Sequence, residues 1–577
     1  MEQEIYDPLK EYITVYKDRF MTICKATFAQ LADEAKVDEE ANWATCKEIY
    51  SKEDIVSSLK DRLGRWHRVS VVLWTVVVIG ALILMANFSD PDGGQIAMAS
   101  IAIAAALAIL YMKVKPMQKE LQGEHDRHQS VIDGLKSKAY TQMEPLNSLY
   151  DWDILTRMIA KTVPMVKFDP YFTTQRLADL VHVYGWMGSS SENKSVIYSH
   201  SGLINGNPFV ICRTREMVMG LNTYYGEKTI HWTTKERGSD GKYHTVQHSQ
   251  TLRASYTAPY PEYYETSQLI YGNTAAPRLI FNRRQSGLAG KEDSRAFRQK
   301  RKELRNKARD LSNNDFAMMT NEEFETIFDT SNRNDNQQYA LLFTPLAQES
   351  MTRLLKDKEN GYGDDFDFDK NRMINTITPD HLQTLDLDMN PDLYRNFDYD
   401  EAEKRFYEIN AEYFRAIYFS LAPLLCIPMY QQIRSQKDIY GTDMQQHSCF
   451  LEHESLANFW GQEHFMAPNC VTNCILKTKQ TDIKGDDSTI KVYAHGHTSV
   501  RRVEYVTVHG DDGKNHRVPV YWDEYFPVTG TGQFHIREDN TSLNEDAASQ
   551  HQRIDYINKV LREGKMQLYR RHISSRR

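Results

Sequence analysis

Residues 68–115 read RVSVVLWTVVVIGALILMANFSDPDGGQIAMASIAIAAALAILYMKVK, two apolar runs separated by a cluster of turn residues. From Val69 to Phe88 the chain carries no formal charge. A helix of about 20 residues, rising about 1.5 Å per residue, crosses the roughly 30 Å hydrocarbon core of a bilayer. This run therefore predicts a transmembrane helix. The shorter uncharged run from Ile96 to Met112 predicts a second, because about 17 residues suffice. Between them, Ser89-Asp90-Pro91-Asp92-Gly93-Gly94 offers a proline that presets one backbone angle and glycines that permit positive ones, so the chain is expected to reverse at the membrane surface. A soluble protein would have to cover both helices on every face, which argues against a buried hairpin.

The flanks set the orientation. Lys60, Arg62, Arg65 and Arg68 precede the hairpin, Lys113, Lys115 and Lys119 follow it, and the loop carries only acids. The positive-inside bias then places both termini in the cytoplasm of a multi-pass protein of the bacterial inner membrane. No ionisable group falls inside either run, so the helices lack the groups that mark an ion or substrate path and read as an anchor. Ala97, Ala99, Ala102, Ala104, Ala105, Ala106 and Ala108 give the second helix a small-residue surface suited to close packing on the first helix or on another copy. A homo-oligomer is thus among the expected partners, beside the membrane itself.

At 577 residues, with 26% charged and 11% aromatic residues, the protein is long enough for several globular domains. A net charge of −8 argues against a general nucleic-acid binder. Seven cysteines, few and odd in number, read as reduced thiols and not as a disulfide framework. The first 60 residues are polar and helical in pattern, which excludes a signal peptide there.

The expected fold class is an α+β membrane protein: a two-helix transmembrane hairpin with helical arms and a large cytoplasmic mixed α/β region. Residues 1–67 form an N-terminal arm with a break near Lys36-Val37-Asp38. Residues 68–113 are the hairpin, and 114–162 a helical stalk that could pair with the arm as an irregular coiled coil. Residues 163–356 are a first α+β domain and 357–577 a second. The segment 229–260 alternates around Ser-Asp-Gly, and 502–528 repeats the pattern, with Asp-Gly-Lys-x-His at Asp240–His244 and at Asp512–His516. Two hairpins that independently use Asp-Gly turns are the expected explanation, with a duplication as the alternative.

At residues 320–355, TNEEFETIFDTSNRNDNQQYALLFTPLAQESMTRLL, the pattern Phe324-x3-Phe328, an Asn-rich acidic turn and Leu341-Leu342-x-Thr344-Pro345 resembles that of a bacterial family of membrane proteins built on a domain of unknown function. Residues 196–221, VIYSHSGLINGNPFVICRTREMVMGL, are similar to the first strands of that family. The resemblance covers about residues 60–430. It implies an N-terminal transmembrane hairpin with a cytoplasmic mixed α/β domain, and no activity.

Two clusters carry candidate chemistry. Cys449-x3-His453 and Cys470-x3-Cys474 could supply the four ligands of a zinc site, with His447, His464, His495 and His497 nearby in sequence and Glu452, Glu454 or Glu463 as a base. A C-x2-C knuckle is missing, however, so buried thiols beside surface histidines are the competing reading. Residues 283–309 hold eleven Lys/Arg against three acids, and Arg295, Arg298, Lys300, Arg301, Lys302 and Arg305 form a basic helical face suited to anionic lipid or an acidic partner. A solvated helix is the plain alternative. GDDFDFDKN, 363–371, lacks the Gly and Glu of a calcium loop and reads as an exposed acidic loop. Gly241-Lys242, Gly290-Lys291 and Gly513-Lys514 lack the spacing of a phosphate loop. These residues favour a membrane-anchored cytoplasmic scaffold or binding protein with no cofactor, against a zinc-dependent hydrolase or a lipid-sensing regulator.

Overall fold

The computed structural model describes residues 4–86, 93–188, 191–237, 242–309, 316–435, 447–485, 487–538 and 566–576. The protein is α+β, with two long apolar helices and two large sheets. It divides into two compact units. One joins Met1–Cys24, Asp151–Asn390 and Ile409–Arg577; the other joins Lys25–Tyr150 and Pro391–Glu408.

Helix Lys17–Ala35, whose residues from Lys25 onward belong to the second unit, ends at Lys36, whose φ is +52°. Asp38 starts the next helix by accepting the Ala41 N–H at 2.9 Å, and that helix runs unbroken from Glu39 to Ala86. The second helical stretch of the expected arm and the first apolar run are therefore one rod. Helix Gly93–Ile109 continues through a π turn, Leu110–Val114, into helix Lys115–Asn147. The reversal at 87–92 lies outside the described residues. Contacts between the rods pair early residues with late ones: Gly80 with Ile103 and Ala99, Glu53 with Lys136 at 2.7 Å, and the Ala41 carbonyl with Gln142 at 3.3 Å. A Cβ at Gly80 would press on Ile103, so glycine sets the close approach. Cys46, Ile49, Val56, Ile132 and Ala139 form the polar ends' shared core. There Asn42 and Asn147 grip the backbone of Asn396, Phe397 and Tyr399. Toward the apolar ends this cover stops. Only 6% of the most apolar stretch of the first rod and 17% of the second is buried, and Leu82 and Ile101 are 60% and 70% exposed.

The first unit holds both sheets. Strands β1 (Val166–Phe168), β2 (Lys194–Ile204), β3 (Asn207–Arg237), β4 (Tyr243–Gly272), β5 (Ile280–Arg283), β6 (Thr330–Ser331), β7 (Phe366–Asn371) and β8 (Ile374–Pro379) form the larger, in the order β1-β2-β3-β4-β8-β7-β5-β6. Strands β9 (Ile475–Lys484), β10 (Asp487–His509), β11 (Asn515–Glu538), β12 (Met566–Tyr569) and β13 (His572–Arg576) form the smaller, ordered β12-β13-β11-β10-β9. All pairings are antiparallel. Strands from both sides of residue 357 share the larger sheet.

The segment 363–371, expected as an acidic loop, is instead largely a strand. Its Phe-Asp-Phe-Asp-Lys alternation has the period of two that buries Phe366, Phe368 and Lys370 and leaves Asp367 and Asp369 to Arg284. Phe324 and Phe328 stack on each other 4.9 Å apart and meet Phe343 in the same core, while Thr344 caps the helix that Pro345 opens.

The two alternating segments belong to hairpins far longer than the local pattern suggested. β3 and β4 pair from Phe209↔Tyr271 to Arg237↔Tyr243, a ribbon of about 100 Å at roughly 3.4 Å per residue. β10 and β11 pair continuously from Asp487↔Arg537 to His509↔Asn515. The ribbons stack face to face through Ile230, Leu252, Ala254, Val518 and Val520, a core distant from their roots. At the second turn Gly513 adopts φ +77°, and Asp512 accepts the Lys514 N–H at 3.1 Å and meets His516 Nε2 at 3.0 Å. That geometry explains Asp-Gly-Lys-x-His as turn chemistry. The first turn, at 238–241, lies outside the described residues.

Gly226 is a point of very close approach between the ribbons, because a Cβ there would collide with the Pro519 carbonyl. Gly226→Ala should force the ribbons apart at a cost of about 1–3 kcal/mol. Hydrogen exchange read by mass spectrometry should show faster exchange in peptides covering Leu252–Tyr256 and Val518–Trp522, with β1, β2 and β8 unchanged. Equal exchange in both proteins would refute the close contact.

Candidate functional site

The helix Phe450–Trp460, FLEHESLANFW, lies between the sheets. Leu451 enters the cluster of Val196, Val210 and Cys212 under the larger sheet, and Leu456 and Ala457 enter the cluster of Leu476, Ile490 and Phe534 under the smaller. With apolar matter on both sides, its polar residues are buried too. Three of them are fixed by named partners. Glu454 Oε2 accepts the Val196 N–H at 2.9 Å, at the β-bulge where the β2–β3 register shifts, and Oε1 pairs with Lys477 at 2.7 Å. Burial still pushes the Glu454 carboxyl up to about 7, with Lys477 opposing. His453 Nε2 meets Ser448 Oγ at 2.9 Å; because that hydroxyl donates to Glu538, the histidine must donate to it.

Glu452 is the centre of a larger group. It accepts from the Phe172 N–H at 3.2 Å and the Ser199 hydroxyl at 3.3 Å, and both its oxygens lie 3.4 Å from Arg570 Nη1. Burial raises its pKa, and Arg570 and these donors work against the rise. Arg570 comes from a tight turn between β12 and β13, where its φ is +51°. Burial works against its charge, but Tyr569, Glu452, Tyr198 and Asp388 around it hold it protonated, and its plane lies 4.7 Å from the Tyr198 ring. The neighbouring Arg571 pairs with buried Asp153 at 2.8 Å. His572 Nδ1 sits 3.8 Å from Glu452, and burial, with His453 and Arg570 nearby, lowers its pKa to about 3.

A cavity of about 30 Å3, roomy enough for water, opens beside this group. Asp388, Arg570, His200, Tyr198 and Tyr413 contribute to its polar lining. His200 Nε2 lies 3.2 Å from the Asp169 carbonyl, which can only accept, so Nε2 carries the proton and Nδ1 accepts from the Tyr198 hydroxyl at 3.3 Å. Tyr413 donates to the Leu387 carbonyl at 2.9 Å. Asp388 Oδ1 and Arg570 Nη2 are buried without a protein hydrogen-bond partner among the described residues. Burial pushes the Asp388 carboxyl up to about 7, with Arg570 opposing. A neutral histidine, two phenols, a guanidinium and a carboxyl that titrates near neutrality can hold a small polar molecule or store a proton.

The candidate zinc ligands fall into two separate places. Cys449 is buried at the N-cap of the Phe450–Trp460 helix, one turn before His453. Cys470 and Cys474 lie together before β9, their sulfurs 3.6 Å apart. Among the described residues, no group of three or more His, Cys, Asp or Glu is arranged to hold a metal ion. In the basic helix, Arg295–Arg309, Phe297 and Leu304 face inward. Lys300 pairs with Asp329 at 2.9 Å, Arg305 with Glu322, and Arg301 lies 5.9 Å from the Phe297 ring; Arg295, Arg298 and Lys302 are exposed.

Sequence reading missed Asp153, Asp388, Glu538, Arg570 and Arg571. Two signals were present: acids inside the otherwise apolar Phe450–Trp460 segment, and paired arginines between β-type residues in LYRRHIS. No protein-family model, curated protein or solved structure matches this protein.

Asp388→Asn tests the cavity's electrostatics. A carboxyl raised on folding binds its proton more tightly in the folded state, so the wild type loses stability as pH climbs from the ordinary value of about 3.9 to about 7. The amide has no such cost. Relative to the wild type, the variant's stability in chemical denaturation should rise across that window by roughly 4 kcal/mol and stay level above it. A difference independent of pH would contradict the assignment.

Proposed function

We propose that the protein is a membrane-anchored scaffold or binding protein of the bacterial inner membrane, with the rods Glu39–Ala86 and Gly93–Asn147 forming a hairpin that crosses the bilayer twice. The observation that carries this reading is the bare aliphatic surface of both rods: the most apolar stretches are 6% and 17% buried. In water such surface drives association, whereas hydrocarbon covers it without loss. Positive flanks support a cytoplasmic side for both termini. The unit that carries both sheets is then the displayed part.

Display is favoured over hydrolysis by the condition of the acids in the Cys/His region. Glu452 and Glu454 are enclosed and already engaged with Arg570 and Lys477, so neither is a free base for the thiols. A lipid-sensing role is the second reading, favoured by the exposed heads of Arg295, Arg298 and Lys302. Stoichiometric zinc in purified protein, lost on Cys470→Ser with Cys474→Ser, would instead favour the hydrolase.

Alkaline extraction of lysed cells tests the anchor. Wild-type protein should remain in the membrane pellet, and Leu82→Arg combined with Ile101→Arg should leave less than about a tenth of it there, each charge costing roughly 3 kcal/mol at mid-bilayer. Wild-type protein released to the supernatant would overturn the reading.

A further inference from the structure

The segment Cys470-Val471-Thr472-Asn473-Cys474 brings two sulfurs to 3.6 Å at the point where both long ribbons are tied to one loop. The approach is built by the backbone beneath it. A Cβ on Gly496 of β10 would collide with both sulfurs, so a glycine at this register position gives the two thiols their shared space. The sulfurs differ in access: Cys470 is partly exposed, while Cys474 is fully buried in the core of the smaller sheet. Every other cysteine is buried and free.

We propose that Cys470 and Cys474 are an oxidisable dithiol that closes to a disulfide on meeting a hydroperoxide, with Cys470 as the attacking sulfur and Cys474 as the resolving one. A disulfide needs about 2.05 Å between sulfurs. The present separation of 3.6 Å is van der Waals contact. The Cys470 thiolate attacks the terminal peroxide oxygen, an S–O bond forms, the O–O bond breaks, and the alcohol or water leaves, giving a sulfenic acid. The Cys474 sulfur then attacks the Cys470 sulfur, S–S forms, S–O breaks, and water departs with the Cys474 proton. Two electrons pass from the two thiols to the peroxide. Burial and the neighbouring Cys470 push the Cys474 thiol up to about 12, which argues against Cys474 as the first attacking sulfur, and its contact with the Cys470 sulfur places it for the second step.

The loop makes this more than a local change. Thr472, between the two cysteines, meets the Tyr263 hydroxyl of β4 at 3.1 Å and accepts the His497 N–H of β10 at 2.9 Å. The Val471 N–H donates to the His497 carbonyl at 2.9 Å. Drawing the sulfurs together therefore acts on the joint that ties β4 to β10.

The test uses full-length protein in its membrane or detergent extract, treated with hydrogen peroxide and read by intact and peptide mass. The wild type should lose about 2 Da, two hydrogen masses, through a 470–474 bridge that dithiothreitol reverses, with no sulfinic acid at Cys470. Cys474→Ser should trap a dimedone-reactive sulfenic acid at Cys470, and Cys470→Ser should slow oxidation of Cys474 at least about tenfold; circular dichroism identical to wild type certifies both folds. Hydrogen exchange in Tyr263 and His497 peptides should change on oxidation of the wild type alone. Cys470 passing directly to sulfinic acid with Cys474 still free would overturn the proposal, as would equal oxidation of Cys474 in the Cys470→Ser protein.

Discussion

Aliphatic surface without protein cover is the constraint on which the rest of this molecule depends. Val72, Leu82, Met98 and Ile101 stand well exposed on the rods, and each large apolar side chain forgoes about 1.5–3 kcal/mol when left in water. A row of such residues outweighs the net stability of most domains, about 5–15 kcal/mol. The helices are locally sound, since all their backbone groups but the terminal ones are satisfied internally, and this is the condition for a segment in hydrocarbon. The same rods acquire a protein core only at their polar ends, around Cys46, Ile49, Val56, Ile132 and Ala139. Water at one end and lipid at the other is the environment this distribution fits, which is why we propose a membrane anchor.

The unit with the sheets answers a different problem, how to join two β layers through one short helix. Phe450–Trp460 must be apolar toward both sheets, yet the β-bulge at Val196 leaves an N–H that needs an acceptor. Glu454 supplies it and is balanced by Lys477; Glu452 supplies acceptors to Phe172 and Ser199 and is balanced by Arg570. Buried charge is costly unless paired and hydrogen-bonded. The C-terminal turn that delivers Arg570 and Arg571 is therefore bound to the helix and to Asp153 by electrostatic need, and it brings the guanidinium to the cavity wall. The polar lining there is a product of how the sheets are fastened.

The sequence spoke most clearly where one physical rule acts alone. Hydropathy over 68–115 located both apolar rods because length and charge decide that question without tertiary information. The Lys36–Asp38 break was legible as an interruption of the helical spacing, and Asp-Gly-Lys-x-His as a turn. It was silent where the deciding partner is far away in sequence. Glu452 and Arg570 are 118 positions apart, so nothing local explains an acid inside an apolar helix. Alternation at 229–260 and 502–528 revealed ribbons, but their length depends on facing partners such as Val518 and Leu252. The Asp residues of 363–371 misled because metal-loop spacing and a half-buried strand both place acids at every second position. Cys470 and Cys474 stood out by spacing, as zinc ligands or as plain thiols, but the closeness of their sulfurs depends on Gly496, a residue with no side chain to signal it.

Depth measured by spin labels in lipid vesicles addresses the central claim most directly. Nitroxides placed singly at Leu82, Ile101, Lys60 and Gln122, in an otherwise native full-length protein, would be relaxed by oxygen and by a water-soluble nickel chelate. Lipid crossing by both rods predicts high oxygen and low nickel collision rates at Leu82 and Ile101, with the reverse at Lys60 and Gln122. Nickel reaching Leu82 and Ile101 as readily as Lys60 would contradict the account.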